Sequence, residues 1–196
     1  PYWKRWMNAF PTLFDLAESE ENEVLLLWQG LGYYARARRL HKTSKILLDL
    51  IGVNNSLDPN QWPKDMDTWE NLPGIGRTTA GSIISSAFNY PQPILDGNVK
   101  RIIARLLASP NPLAYGQYTF WELSDLLLDP QQPRYLNQAW MDLGYIICTL
   151  RNPNFENCPC HSNGEAYLLN QPTEFPLTST KKKSPFNIIG VGVVFD

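Results

Sequence analysis

The octet ILDGNVKR, residues 94–101, sets one aspartate between an apolar run and the start of a basic helical pattern. An aspartate in this position accepts hydrogen bonds from the first free amide groups of the following helix. A fixed carboxylate can also stabilise positive charge that develops on a substrate. Asp96 is therefore either a helix cap or a catalytic carboxylate, and the octet alone favours the cap.

The stretch LPGIGRTTAGSII, residues 72–84, is a second place where chemistry is predicted. Gly74 and Gly76 permit backbone angles and close approaches that a Cβ atom would block. Their amide groups, together with the start of a helix near Arg77, form a concave site suited to a phosphate. Glycine-rich turns before helices are common, so the pattern alone indicates anion binding only weakly.

The cysteines form a third candidate site because Cys148, Cys158 and Cys160 all fall in one short stretch. Such clustering is more typical of a metal site, or of the remnant of one, than of a disulfide framework.

The composition of the 196 residues, 43% hydrophobic and 18% charged, is that of a globular protein and excludes a disordered one. We find no apolar run of membrane-spanning length and no signal peptide, so we expect a cytoplasmic protein with no membrane partner. The net charge of −2 gives no general attraction to polyanions. Any surface for nucleic acid must therefore be a local patch.

Helical spacing of apolar residues extends from residue 1 to about 150, so the elements that position these sites are predicted to be helices. Between 35 and 52, Leu40, Leu47 and Ile51 share one predicted face, and Arg38, Lys42 and Lys45 share the other. The basic face is either a solvated surface or a phosphate-binding one. Further helices are predicted as two short ones within 12–32, a short one before the glycine turn, and others at 77–88, 98–107, 117–128 and 133–147.

The C-terminal composition predicts a change of structure after residue 170. Residues 171–186 combine Pro, Thr, Ser and a Lys run, which predicts a linker. Residues 187–196 alternate like the first strand of a β-rich domain. We interpret the chain as part of a longer protein, with a helical domain at 1–170 followed by the linker and the start of a truncated domain.

Three motifs in order resemble one superfamily. LPGIGRTTA resembles the helix-hairpin-helix of DNA glycosylases, placed here at about 67–88, and ILDGNVKR resembles the segment that carries their catalytic aspartate. GLGYYARARRLHK and NQAWMDLGYIICT extend the similarity to the MutY-type adenine DNA glycosylases over about residues 1–165. The resemblance implies the all-α glycosylase fold. It also implies base-excision repair by a monomer that hydrolytically removes adenine mispaired with 8-oxoguanine or guanine in double-stranded DNA.

The resemblance assigns roles to particular residues. Asp96 would stabilise the cationic sugar, Asn98 would be a positioning group beside Asp96 and a DNA-binding residue, and Tyr33 would intercalate into DNA. For Tyr33 the alternative is packing at a helix junction. DNA contacts are implied for the hairpin residues Gly74, Gly76, Arg77 and Thr78. Weaker phosphate candidates are Arg36, Arg38, Lys42, Lys100 and Arg101.

Superfamily members that also cut the DNA backbone carry a lysine two residues after the second hairpin glycine, where its amine forms a Schiff base with the sugar. Thr78 stands at that position. A hydroxyl group cannot form the imine, so we predict base removal without a β-lyase step.

The resemblance also implies what lies beyond this sequence. In the family, the glutamate that protonates the departing base precedes the residues matched by PYWKRW, and a C-terminal β-rich domain helps to read 8-oxoguanine. We therefore expect residues 1–196 alone to release no detectable adenine and to show little preference for 8-oxoguanine.

The family usually carries an iron–sulfur cluster (4Fe–4S) on the spacing C-x6-C-x2-C-x5-C. That spacing falls on Cys148, Phe155, Cys158 and Gly164, so two of four ligands are absent. Cys160 and His161 are near but do not fit the spacing. We expect no cluster and no bound metal.

Two other functions remain open from the sequence. A noncatalytic helix-hairpin-helix DNA-binding module would use the hairpin glycines and give Asp96 no special role. The second is a glycosylase with lyase activity that acts on pyrimidines. Thr78 and the DGNVKR motif argue against this second function.

Overall fold

The computed structural model describes residues 2–55, 57–110 and 117–177, and within these ranges every regular element is helical. The all-α prediction is confirmed for this part of the chain. The helices, numbered along the chain, are α1 Tyr2–Ala9, α2 Leu13–Glu18, α3 Glu21–Leu27, α4 Tyr34–Ile51, α5 Met66–Glu70, α6 Arg77–Phe88, α7 Gly97–Leu106, α8 Gln117–Leu126, α9 Pro133–Asp142 and α10 Glu165–Leu168. Short 3₁₀ turns lie at Val53–Asn55, Pro59–Gln61 and His161–Asn163.

The predicted helices at 77–88, 98–107 and 117–128 are confirmed as α6, α7 and α8, with ends within two residues of the prediction. The helix predicted at 133–147 is regular only to the end of α9. It continues as a π-helical turn, Leu143–Ile147, closed by a 2.7 Å bond from the Cys148 amide to the Leu143 carbonyl. The wider turn brings two carbonyls of this segment to one arginine of α7, as described below.

Three buried clusters hold the helices together. The first joins α1 to α4 through Phe10, Leu16, Val24 and Ala37. The second lies beneath the glycine turn and includes Leu47, Trp69, Leu72, Ala80 and Ile84. The third surrounds α7 and α8 and includes Ile94, Leu95, Val99, Ile103, Phe120 and Trp121. Helix α4 contributes to the first two clusters, so it connects the N-terminal helices to the hairpin.

The predicted apolar face of α4 is only partly correct. Leu47 and Ile51 are buried, but Leu40 is exposed. The position at the centre of the buried face belongs to His41, whose Nε2 makes a 3.0 Å hydrogen bond with the Ser19 carbonyl. A hydrogen-bonded histidine can occupy an interior position, and apolar spacing alone does not reveal it.

The C-terminal part of the described chain packs on the helical body. Phe175 is buried, and its carbonyl accepts a 2.9 Å bond from Arg105 Nε. Positions 178–186 of the predicted linker and the predicted strand at 187–196 lie outside the described residues. None of the described helices is long and apolar enough to cross a lipid bilayer.

Candidate functional site

Asp96 is the N-cap of α7, as the octet predicts. Its Oδ1 accepts two bonds of 2.9 Å from the amides of Asn98 and Val99. Its Oδ2 accepts one bond of 3.2 Å from Asn98 Nδ2. The carboxylate is therefore held through one oxygen by the backbone, and the other oxygen keeps capacity for a further partner.

The extended segment 92–95, which leads into Asp96, is held by side chains from three helices. Each side chain donates to a backbone carbonyl of the segment, so its polar groups are satisfied without a β-ladder. The bonds run from Asn137 Nδ2 to Gln92 O at 2.9 Å, from Ser124 Oγ to Ile94 O at 2.7 Å, and from Thr78 Oγ1 to Leu95 O at 3.0 Å. Through Thr78, the hairpin and Asp96 are fixed relative to one another.

Two glycines allow the close packing around this segment. A Cβ atom on Gly81 of α6 would lie 2.4 Å from the Pro93 carbonyl oxygen. A Cβ atom on Gly144 of the π-helical turn would lie 2.5 Å from Asn98 Cβ. Neither backbone could approach so closely with a side chain present. These residues position the site, and the sequence motifs do not single them out.

Arg101 is buried, so its interpretation as a phosphate contact is wrong. Its Nη2 donates to Asn98 Oδ1 at 2.7 Å and to the Gly144 carbonyl at 2.6 Å, and its Nε donates to the Cys148 carbonyl at 2.7 Å. Burial lowers the pKa of Arg101, but a guanidinium remains charged at physiological pH. Arg101 therefore connects Asn98, and through it Asp96, to the segment after α9.

The hairpin has the geometry that the glycine pattern predicts at Gly74 but not at Gly76, where neither the backbone angle nor the available space requires a glycine. Gly74 has φ +82°, and a Cβ there would lie 2.7 Å from Arg39 Cδ. Gly76 caps α6 in extended conformation, and a Cβ there would meet nothing within 4 Å. Gly76 and Arg77 are exposed, and the first turn of α6 carries no acidic residue. The start of α6 is therefore open to solvent, as the predicted phosphate site requires.

Tyr33 lies at the N-terminus of α4 and is 81% exposed, so the alternative that it packs a helix junction is wrong. It has φ +50°, which is uncommon for a residue with a bulky side chain. The Arg36 guanidinium lies 5.3 Å from the centre of the Tyr33 ring. Farther along α4, Thr43 Oγ1 donates to the Pro73 carbonyl at 3.0 Å. One helix thus carries the exposed aromatic ring and supports the hairpin.

The remaining basic residues that were predicted to contact phosphate differ in how exposed their side chains are. Arg36 and Lys42 are exposed on α4. Arg38 forms a 3.0 Å ion pair with Glu21. Lys100 is half-buried on α7, and the Arg77 guanidinium lies 4.0 Å from the centre of the Trp121 ring.

The donor set after α9 does not fit a four-cysteine cluster. Phe155 and Gly164 occupy two of the ligand positions and bring no thiolate. Cys148 is buried, and its Sγ accepts a 3.2 Å bond from Arg105 Nη1. Among the described residues, no group of three or more His, Cys, Asp or Glu side chains is arranged to hold a metal ion.

The chain is similar to known proteins in sequence and in fold. Residues 1–116 match the family model described as HhH-GPD superfamily base excision DNA repair protein. The chain is 38% identical over 170 residues to the adenine DNA glycosylase of Schizosaccharomyces pombe, covering 85% of this chain and 35% of that protein. It is 35% identical over 182 residues to the adenine DNA glycosylase of Buchnera aphidicola subsp. Baizongia pistaciae, covering 93% of this chain and 50% of that protein. Among solved structures, a thermostable thymine-DNA glycosylase superposes with a TM-score of 0.71 at 21% identity, covering 86% of this chain and 75% of that one.

The fold and the site define a helical protein in which a glycine hairpin is bonded to the segment that carries a helix-capping aspartate. The chain belongs to the HhH-GPD superfamily of base excision DNA repair proteins. The resemblance to adenine DNA glycosylases is confirmed at 35% and 38% identity in the two relatives above. The chain spans 35% and 50% of their respective lengths.

Proposed function

We propose that the protein is a monofunctional adenine DNA glycosylase that acts in base-excision repair on adenine mispaired with 8-oxoguanine or guanine. The observation that carries the proposal is the placement of Asp96. Its carboxylate is held by the start of α7 and lies one residue from the carbonyl to which the hairpin residue Thr78 is bonded. The identity to adenine DNA glycosylases supports the choice of adenine as the base.

In the proposed reaction, the bond between the sugar C1′ and adenine breaks, and its electron pair leaves with the base, which takes up a proton. Positive charge then spreads over C1′ and the ring oxygen. The Asp96 carboxylate stabilises this charge, electrostatically or through a transient bond, as one carboxylate does in glycosidases. Water adds its hydroxyl to C1′ and gives up a proton, which leaves an abasic sugar and free adenine.

Thr78 supports the proposal that no lyase step follows. Its hydroxyl donates to the Leu95 carbonyl, and it has no amine that could form an imine with the sugar. Borohydride should therefore trap no covalent complex between the protein and abasic DNA. A stoichiometric trapped complex would contradict the monofunctional assignment.

For DNA binding, we propose that the amides at Gly76 and the start of α6 hold a backbone phosphate while Tyr33 stacks on bases. The exposure of both residues supports this. Arg36 and Lys42 on α4 add cationic contacts. The protein acts as a monomer in this proposal, because one chain supplies every contact that holds Asp96. The three free cysteines agree with a reducing, cytoplasmic location.

Two substitutions test the proposal. Asp96→Asn keeps a good helix cap but removes the charge, so turnover should fall by about 100-fold or more while DNA affinity is retained. Gly76→Val should weaken binding to all duplexes alike, because the valine side chain would cover the proposed phosphate site. The fold has room for this substitution, since a Cβ at Gly76 meets nothing within 4 Å. Both are measured in the protein at its complete length, by single-turnover adenine release and by DNA titration.

The outcomes separate enzyme from binding module. Full adenine release by Asp96→Asn would show that Asp96 is not a catalytic residue. A protein that binds mispaired DNA but never releases adenine would be a noncatalytic helix-hairpin-helix module. Selective loss of binding to some sequences by Gly76→Val would show that the hairpin reads bases.

A further inference from the structure

The segment 148–167 contains the four positions at which the resembling family carries its cluster ligands, and its side chains surround a small cavity lined by Cys148, Cys158, Cys160 and His161, among others. The Phe155 ring lies 6.2 Å from the Tyr167 ring, and the His161 ring packs against Tyr167 with 3.7 Å between centres. Ala166 between them is buried. The Nε2 atom of His161 is buried and has no hydrogen-bond partner among the described residues.

Arg105 of α7 is hydrogen-bonded to the start of this segment. It is 4% exposed, and it donates to three successive carbonyls, those of Cys148 at 3.2 Å, Thr149 at 2.7 Å and Leu150 at 3.2 Å. It also donates to the Cys148 sulfur and to the Phe175 carbonyl. Its guanidinium lies 5.5 Å from the centre of the Phe155 ring. One buried side chain thus contacts the start of the segment, its middle and the C-terminal end of the described chain.

The Cys148 thiol is packed against Arg105, and its sulfur accepts a 3.2 Å hydrogen bond from Arg105 Nη1. Gly164 is not needed for space, because a Cβ there would lie 3.4 Å from the Cys160 carbonyl oxygen and 3.9 Å from Tyr167 Cβ.

We infer that Arg105 and the Phe155–His161–Tyr167 ring cluster form a clamp, made of protein alone, that holds residues 148–167 in place of an iron–sulfur cluster. The clamp holds Cys148, whose carbonyl also accepts a bond from Arg101, and so it supports the neighbourhood of Asp96 without iron. This inference concerns the architecture of the segment and stands whether or not the protein removes adenine.

The first test is metal content. The 196-residue chain is purified anaerobically, incubated with iron and sulfide, and assayed for iron, sulfide and zinc. We expect less than about 0.2 metal ions per chain, because two of the four thiolates that a cluster needs are missing. The double variant Phe155→Cys/Gly164→Cys restores the four-cysteine spacing and should bind about four iron atoms with the visible absorbance of a cluster. Stoichiometric iron or zinc in the natural sequence would overturn the inference.

The second test is stability. Arg105→Lys keeps the charge but loses the planar set of donors, so the Tm should fall by about 5–10 °C. Arg151→Lys, at an exposed arginine of the same segment, is the control and should change the Tm by less than about 2 °C. A chelator should leave the Tm of the natural protein unchanged. A fall on chelation, or equal Tm values for the two variants, would contradict the clamp.

Discussion

At the residue scale, the helix cap and the proposed catalytic carboxylate are the same residue, Asp96. Asp96 Oδ1 caps α7 through two amides, and Oδ2 accepts a single bond from Asn98. Capping fixes the carboxylate before any substrate arrives, so no free energy is needed to orient it during the reaction. The cap and the catalytic carboxylate are compatible roles of the same residue.

Thr78 gives a residue-scale prediction. Thr78→Val removes the donor to the buried Leu95 carbonyl and should lower the free energy of unfolding by about 1–2 kcal/mol. Because Asp96 follows Leu95 directly, its displacement should also reduce turnover by about 10- to 100-fold. Thr79→Val, at the exposed next position of α6, should change stability by less than about 0.5 kcal/mol. Denaturant unfolding and single-turnover kinetics measure both effects, and equal behaviour of the two variants would show that the bond to Leu95 does not position Asp96.

At the element scale, the site depends on how closely α6 and the π-helical turn approach their neighbours. Gly81 brings α6 against the Pro93 carbonyl, and Gly144 brings the turn against Asn98. Because close approach at these two points sets where Asp96 and Asn98 lie, glycines that carry no chemistry of their own are part of the architecture of the site.

Gly81→Ala tests this dependence. Its Cβ would lie 2.4 Å from a backbone oxygen, a clash that costs about 3 kcal/mol and exceeds the about 1 kcal/mol gained in helix propensity. The Tm should fall by about 4–8 °C. Gly97→Ala, whose Cβ meets nothing within 4 Å, is the matched control and should leave the Tm unchanged or slightly raised. A thermal scan of both variants decides the matter, and an unchanged Tm for Gly81→Ala would mean that α6 and the segment 92–95 can separate at little cost.

At the scale of the whole molecule, local sequence patterns predicted the helices. Contacts between distant residues determine which side chains are buried and how the segment before Asp96 is held. Apolar spacing is sufficient for α6 and α8, whose ends match the prediction within two residues. It could not reveal that Arg101 is buried, because its acceptors at Gly144 and Cys148 are 43 and 47 residues away. The same is true of Ser124, which holds the segment before Asp96 from 30 residues away. The motifs predict the site, and only the fold shows which contacts hold Asp96 in place.

The charge of the whole molecule bears on how it meets DNA. With 17 basic and 19 acidic residues, the chain has no general attraction to a polyanion. Arg101 and Arg105 are buried, and Arg38 is paired with Glu21. The cationic surface for a phosphate backbone is therefore smaller than the residue count indicates.

Salt dependence of DNA binding follows from this small surface. In the proposed binding mode, the anion contacts come from the start of α6, from Arg77, and from the exposed Arg36, Lys42 and Lys45 of α4. We expect about three to five neutralised phosphates, which corresponds to a slope of log affinity against log salt of about −3 to −4.5 on duplex DNA. Lys42→Gln should reduce the magnitude of the slope by about one, whereas Arg38→Gln should change it less, because Arg38 already pairs with Glu21. Titrations between low and physiological salt measure these slopes. A slope near zero would mean that binding does not use phosphates at all, and one twice as steep would mean that the paired or half-buried cations rearrange to meet the DNA.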